Sequence, residues 1–514
     1  MAVAESSPAP RPLTLASTGG RWMIAVTVLG SGMAFLDGTV VNVALPDIGR
    51  DLHASTSALQ WVLSGYLLSL ASLILLGGSL GDRYGRRLVF VVGAGTFSLA
   101  SLLCALAPTV GVLIAARLVQ GAAGALLTPG SLAMIEASFR RQDRPRAIGL
   151  WSGMTGVSTA LGPLLGGYLV GAVSWRAVFL INVPIGAFVI AAARHVPESR
   201  DPDAHGRLDI PGAILAFLAL AGSTYALIEA PNGGSTLGVA AAAALGVGAL
   251  IAFVMTERRS AAPMLPLKIF SAQFTYANMV TFVVYAALGG VFFLLVSFLQ
   301  ISMGYSPLAA GAASTPVTLL MLLFSARSAA LAQRIGPRLQ LALGPLIVAA
   351  GVLMMTQIEP GDSYLTGILP SQIVFGIGLT LVVSPITATV LASASERHAG
   401  IASGVNNAVA RVASLIAVAV LPVIAGLTGK RFYVPHAMTH GFHVAMFASA
   451  GLLVAGGVLA WFTIDNDILR EPAEEEHGVT EPIGLSCGVS GPPLRPAPEP
   501  DEPERPEPVA PVAG

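Results

Sequence analysis

Charge is what this sequence has least of. Of its 514 residues only 11% are Asp, Glu, Lys or Arg, against about a quarter in an ordinary soluble domain. The two signs balance at 28 basic and 28 acidic residues, so there is no net field to draw a nucleic acid or an acidic partner. Lysine is nearly absent, with Lys268 and Lys430 the two that occur. Cysteine is equally sparse: Cys104 falls in an apolar stretch and Cys487 in a polar tail, a separation that speaks against a disulfide or a thiolate metal site. No Gly-x-x-x-x-Gly-Lys-Ser/Thr phosphate loop occurs, and no nucleotide site of that kind is expected. Nor do the apolar stretches hold a His-x-x-x-His or Cys/His grouping that would suggest an enzyme. His436 and His440 have an i, i+4 spacing and His443 follows, but they lie at a joint with no third ligand type near, so no metal is expected.

What the sequence has instead is apolar length. Apolar residues make up 54% of the chain, and the mean hydropathy is +0.75. Crossing a bilayer takes about 20 apolar helical residues. Stretches of that length lie near 22–46, 58–80, 87–107, 109–137, 147–170, 175–193, 210–230, 236–256, 274–300, 307–327, 339–358, 365–392, 400–427 and 441–463. The first is too long for a signal-peptide core and reads as a retained helix. Fourteen spans are testable against charge, because cytoplasmic joints should collect Lys and Arg. Alternate joints receive 19 basic residues on one side and four on the other, the four being Arg50, Arg176, Lys430 and Arg431. The expectation is a multi-pass protein of the plasma membrane with both termini cytoplasmic, and 26 Arg beside two Lys fits a GC-rich bacterial genome.

The chain also repeats itself. Gly78-Ser79-Leu80-Gly81-Asp82-Arg83-Tyr84-Gly85-Arg86-Arg87 follows the second stretch, and Ala329-Ala330-Leu331-Ala332-Gln333-Arg334-Ile335-Gly336-Pro337-Arg338 follows the tenth. Leu, Arg, Gly and the final Arg recur in register, as they would in two parallel six-helix repeats. The expected division is a cytoplasmic tail at 1–21, one six-helix bundle at 22–193, two linking helices at 210–256, a second bundle at 274–463, and a Pro/Glu-rich tail at 471–514 whose composition is that of a disordered segment.

One charge stands inside the first apolar stretch, where insertion costs roughly 2.5–3.5 kcal/mol. It is Asp37, followed by Gly38, Thr39 and Asn42. At 1.5 Å per residue it lies about 13 Å below the outer end of its helix, and Arg117 in the fourth helix about 12 Å below the same end. The two can meet. The guanidinium and burial act on such a carboxylate in opposite senses, so a change of conformation can switch its proton occupancy, although a static ion pair would share the geometry. Arg411 lies deep in the thirteenth helix with no acidic partner evident in its own half, which leaves substrate contact and bracing both open.

Five segments together resemble the fourteen-helix drug:proton antiporters of the major facilitator superfamily, over about residues 22–463. They are Leu36-Asp37-Gly38-Thr39-Val40-Val41-Asn42-Val43-Ala44-Leu45-Pro46, the joint Gly78 to Arg87, Arg117-Leu118-Val119-Gln120-Gly121, Gly156 with Gly162-Pro163-Leu164-Leu165-Gly166-Gly167, and Trp175 to Pro184. Ala123 and Ala177 depart from the usual Gly and Trp. The resemblance implies an all-α integral membrane fold of two six-helix bundles plus two extra helices. It also implies alternating-access efflux of amphiphilic drugs or antibiotics, driven by the proton gradient without a cofactor and carried out by a monomer. A small-metabolite importer of the same superfamily is the alternative.

Site roles follow from the residues and this likeness together. Asp37 and Arg117 would couple to protons. The joint of Gly78, Gly81, Asp82, Arg83, Gly85, Arg86 and Arg87 would latch the helix ends, Gly81 and Gly85 allowing a tight turn and close packing and Asp82 pairing with Arg83 or Arg86 or capping a helix. Gly156, Gly162, Pro163, Gly166 and Gly167 would form the bare, bendable face associated with antiport. Met33, Asn42, Gln60, Trp61, Tyr66, Gln120, Asn278, Tyr285 and Arg411, with Phe292 and Gln300, are the expected cavity walls.

Overall fold

The computed structural model describes residues 12–200, 208–260, 263–394 and 399–469. The tail at 471–514, and Arg11, Arg207 and Arg397 of the charge count, lie outside them. The helices are α1 (Thr18–Asp51), α2 (Thr56–Tyr84), α3 (Arg86–Ala105), α4 (Val110–Ser138), α5 (Arg144–Ala172), α6 (Ala177–Leu180), α7 (Asn182–Ala192), α8 (Ile210–Glu229), α9 (Thr236–Arg259), α10 (Ala272–Ile301), α11 (Pro307–Ala312), α12 (Thr315–Ile335), α13 (Arg338–Met355), α14 (Leu369–Ala392), α15 (Ala399–Ile424) and α16 (Pro435–Thr463). Because α6 with α7 and α11 with α12 are single spans broken by a short turn, the helices make fourteen spans. Thirteen are long and apolar enough to cross a bilayer by composition alone. The remaining one, α5, has the length at 29 residues, and its glycine-rich face packs on α1 and α11.

Capping fixes the helix starts where the sequence offers an oxygen. Ser17, Ser55, Thr109, Ser235, Ser271 and Ser306 each accept a hydrogen bond from the first turn of the helix they precede, satisfying a donor with no intrahelical partner. The first helix therefore begins at Thr18, four residues before the expected start of the bundle. Before it, Leu13 lies against the end of α4 in a short parallel bridge with Phe139, donating from its N–H to the Ser138 carbonyl at 2.8 Å.

Two groups of six spans emerge from the packing. In the first, α2 packs on α4, α1 on α5, and α3 on α4 and α7; in the second, α10 packs on α15 and α16, α13 on α14 and α16, and α12 on α14. The repeat seen in the sequence has a structural counterpart. Gly85 and Gly336 both end a helix at positive φ, +116° and +84°, a conformation that glycine adopts without a side-chain clash. In each half the last arginine of the motif then donates to a carbonyl just beyond that half's sixth span: Arg87 to Val196 at 2.9 Å and Arg338 to Ile464 at 2.7 Å. The extra pair, α8 and α9, pack on each other, and α8 touches both α2 and α15. Only 11% of the apolar stretch of α9 is covered, against 72% for α2 and α10, so α9 is a peripheral, lipid-facing helix.

The arginine-rich joints cluster at one end, here the basic end, and the groups of six are tied together at the other. There Gln300 donates to the Val43 carbonyl at 2.9 Å, Thr56 to the Gly429 carbonyl at 2.7 Å, Gln60 to the Val418 carbonyl at 2.8 Å and Tyr433 to the Ala54 carbonyl at 2.9 Å. Burial pushes the Tyr433 hydroxyl up to about 12, so it stays a donor throughout the physiological range. Glycines do the rest of the sealing. A Cβ on Gly311 of α11 would strike the Pro163 carbonyl of α5, and one on Gly167 would strike the Pro307 carbonyl. Toward the basic end Gly149, Gly153 and Gly156 of α5 face open space, while Ala147 is buried and Trp151 donates to Ser31 of α1 at 3.2 Å.

Candidate functional site

Asp37 is fully buried. It forms an ion pair with Arg117, and its other oxygen accepts from Gln120 Nε2 at 2.8 Å and Asn182 Nδ2 at 3.2 Å. Arg117 is in turn held on every side: Nε donates to the Val62 carbonyl at 3.0 Å, Nη1 also donates to Gln120 Oε1 at 2.8 Å, and the Tyr66 ring lies 4.3 Å beneath its carbon. Gln120 makes a further bond to Ser101 at 2.8 Å. Helices α1, α2, α3, α4 and α7 thus each contribute to one network, closed within the first bundle. Burying two charges is costly, and a pair held by this many further hydrogen bonds is the arrangement that repays it. Asn182 and Ser101 escaped the sequence reading because a single Asn or Ser in an apolar run carries no sign of which helix face it occupies; Asn182 stands directly after the break in the sixth span and is fully buried.

This network also holds residues expected on a cavity wall. Met33, Tyr66 and Gln120 are each at most 1% exposed in this conformation. Tyr66 donates to the Ala34 carbonyl at 2.8 Å, and Met33 packs toward Gly186 of α7. Gln60 and Gln300 belong to the far-end ties. Trp61 turns to the extra helix, donating to Glu229 at 3.2 Å with its ring tilted on Tyr225. Asn278 is buried and bonds to its own helix at Phe274, while Phe292 packs edge-on against Phe375 of α14. Residue type gave these positions, and only the rotation of each helix decides where they point. Asn42, Tyr285 and Arg411 of the expected wall residues remain partly exposed, Tyr285 and Arg411 near the middle of their helices and Asn42 nearer the far end of α1. Arg411 lies 5.4 Å from the Phe35 ring of α1, a neighbour the sequence reading did not name.

At the basic end the Gly78 to Arg87 motif corrects one expectation. Gly81 is a helical residue of α2, as is Gly78, and the expected turn is at Gly85 alone. Asp82 pairs with Arg86 at 2.8 Å, and Arg86 also donates to the Ala133 carbonyl of α4 at 3.2 Å. Arg83 lies over the Tyr84 ring at 5.6 Å. The residue that caps the next helix is not Asp82 but Glu198, which accepts from the Arg87 and Leu88 N–H groups at 2.9 and 3.2 Å and packs against Gly85. A carboxylate on the first N–H groups of a helix is held by their unpaired donors and by the helix dipole. In the sequence Glu198 sits in a polar joint that reads only as a topology anchor.

The glycines of α5 divide their work. Gly162 and Gly166 admit Thr39 and Val40 of α1, whereas Gly167 admits Pro307 and Leu308 of α11. Thr39 donates to the Thr159 carbonyl at 3.1 Å, which fixes α5 two residues from Asp37. A single helix therefore packs both on α1, beside the segment that carries Asp37, and on α11 at the far-end seal.

Comparison with known proteins agrees with this geometry. The family model described as Major Facilitator Superfamily matches residues 27–418. The puromycin resistance protein of Streptomyces alboniger is 34% identical over 471 residues, covering 89% of this chain and 93% of its own. A methylenomycin A resistance protein of Streptomyces coelicolor is 36% identical over 443 residues, covering 85% and 91%. Among solved structures, a peptide transporter crystallised as a mutant with sulfate superposes at a TM-score of 0.62 and 14% identity, covering 87% of this chain and 96% of its own, a likeness of fold alone. The chain belongs to the major facilitator superfamily and is a multi-pass membrane transporter, not an enzyme.

Proposed function

We propose that the protein exports amphiphilic drugs or antibiotics across the bacterial plasma membrane in exchange for protons, with its basic end and both termini in the cytoplasm. The observation that carries this reading is that α5, which closes the far end against α11, also packs on α1 two residues from the sealed Asp37 pair. A compound enters from the cytoplasm or inner leaflet while the far end is shut, the conformation described above. Reversal opens the far end by parting α5 from α11, and movement of α5 against Thr39 disturbs the Asp37 pair. Proton uptake then has a receiver. Asn182 Oδ1 is buried without a donor, and rotation of that amide offers it to a protonated Asp37 carboxyl. The names of the relatives, resistance proteins for puromycin and methylenomycin A, support export and an antibiotic cargo. A membrane potential adds about 2.3 kcal/mol per charge per 100 mV, enough for one proton to drive a steep gradient.

The test is efflux from a pump-deficient bacterium over cationic, zwitterionic and neutral drugs, with an uncoupler as control. Asp37→Asn should abolish accumulation against a gradient while leaving downhill exchange. Uphill export by Asp37→Asn with normal uncoupler sensitivity would refute proton coupling at this residue.

A further inference from the structure

Arg411 and Arg117 both lie near the middle of the bundle, but they are held differently. Arg411 is twelve residues into a 26-residue helix, Phe35 seventeen residues into a 34-residue one, and Tyr285 thirteen into a 30-residue one. Arg117 is enclosed by a carboxylate, an amide, a carbonyl and a ring. Arg411 makes neither an ion pair nor a hydrogen bond among the described residues. Its contact is the face of Phe35, and its Nη1 stands 3.8 Å from where a Cβ on Gly38 would lie. An arginine that braces a helix donates into carbonyls, as Arg87 does to Val196 and Arg338 to Ile464. Arg411, with five N–H donors, does not.

The charge balance at this depth points the same way. Asp37 is the one carboxylate in the middle of a described span, and its oxygens are taken by Arg117, Gln120 and Asn182. With Asp37 ionised, the three charges Asp37, Arg117 and Arg411 leave one positive charge unmatched, where a bare charge is costly. The surroundings are those of a binding surface. Phe35, Gly38 and Asn42 follow the i, i+3, i+7 spacing of one helical stripe and are all partly exposed, while Asp37, about 200° from Phe35 at 100° per residue, is turned into the bundle. Opposite them are Tyr285 and Ser414, also partly exposed, with the Ser414 hydroxyl 3.4 Å from the Tyr285 carbonyl. The missing side chain at Gly38 leaves room beside the guanidinium.

We propose that Arg411 anchors a negatively charged group, a carboxylate, phenolate or enolate, on a planar aromatic substrate whose ring lies along Phe35 and Tyr285; this deepens the efflux reading and rests on it. The planar fork of a guanidinium matches two oxygens of such a group at once. Because Arg117 already matches Asp37, the substrate's charge and the proton are taken up at separate pairs, and their exchange runs through the conformational change and not through competition for one group.

The test uses the purified full-length protein and two planar dyes, fluorescein as the anion and ethidium as the cation, titrated by fluorescence anisotropy. The expected result is that wild type binds fluorescein, that Arg411→Gln weakens this about tenfold or more, the worth of one charge-assisted pair, and that Arg411→Lys retains most of it. Ethidium binding should be unchanged or tighter in Arg411→Gln. Wild type that fails to bind fluorescein overturns the proposal however the variants fold, as does an Arg411→Gln protein that binds fluorescein normally or loses both dyes alike. Dye export from pump-deficient cells separates the two readings. Arg411-dependent binding of fluorescein with neither dye exported leaves the anion site standing and efflux refuted, whereas exported ethidium with no fluorescein binding or export leaves efflux standing and the anion site refuted.

Discussion

Arg117 is anchored to Asp37 on α1, to Val62 and Tyr66 on α2 and to Gln120 on its own helix, so its removal should be felt in stability before it is felt in transport. Truncating one member of a buried, hydrogen-bonded charge pair costs about 3–5 kcal/mol. We predict that Arg117→Ala lowers the midpoint of thermal unfolding in detergent more than Asp37→Asn does, and that Arg117→Gln combined with Asp37→Asn recovers much of the loss, because no charge is then left uncompensated. Losses in the double variant that equal the sum of the single ones would show that the pair is not coupled. The pairing itself was legible in the sequence, since two charges at matched depth in apolar helices have few other partners. Gln120 and Tyr66 were legible as polar residues near the middle of helices but not as parts of this network. Their assignment depends on how α2 and α4 are rotated, and the rotation is set by contacts such as Gly121 against the Tyr66 carbonyl, where a Cβ would clash.

Among the elements α5 is the most informative. Its glycines predict a graded response: Gly156→Ala should leave transport intact, since nothing lies within 4 Å of the new methyl. Gly167→Ala in α5 and Gly311→Ala in α11 should each largely abolish transport, because each methyl would meet backbone across the far-end contact. Efflux rates of the three variants, normalised to membrane protein, check this, and equal loss in all three would mean that generic packing and not the far-end contact is at stake. At the basic end, Glu198→Gln should destabilise the α2–α3 joint by about 0.5–2 kcal/mol, the usual worth of a helix cap, read as faster proteolysis at that joint. The glycine-proline run was plain in the sequence, but its division between two partner helices was not, since spacing along one helix does not say which neighbour fills each gap. Similarly, α2 runs past the expected end at residue 80 to Tyr84, because Gly81 is accommodated within the helix and the first left-handed residue is Gly85.

For the whole molecule, the count of fourteen spans came from apolar length checked against arginine placement, both of which the bilayer imposes on composition. The extra pair was located but not oriented, because an all-apolar helix has no stripe to point with. The structure joins the halves at the far end by hydrogen bonds between loops and helix ends, and this yields a conformational test. Cysteines placed at Thr56 and Gly429, whose native groups are 2.7 Å apart, should cross-link in the far-end-closed form, stop efflux, and release it on reduction. Activity that persists after complete cross-linking would mean that this end does not need to open.

The position of α8 has a consequence for how molecules dissolved in the lipid arrive. The two halves meet along two seams, one where α2 faces α15 and one where α5 faces α11 and α12, and α8 covers the first by touching both of its helices. That seam is covered from the side, whereas α5 at the other carries Gly149, Gly153 and Gly156, which have no neighbour within 4 Å. Entry from the leaflet on that side alone predicts that Gly153→Trp slows uptake of lipophilic compounds more than water-soluble ones, while an equally bulky change on α9 slows neither. The added helical hairpin would thus give the transporter a front and a back within the plane of the membrane.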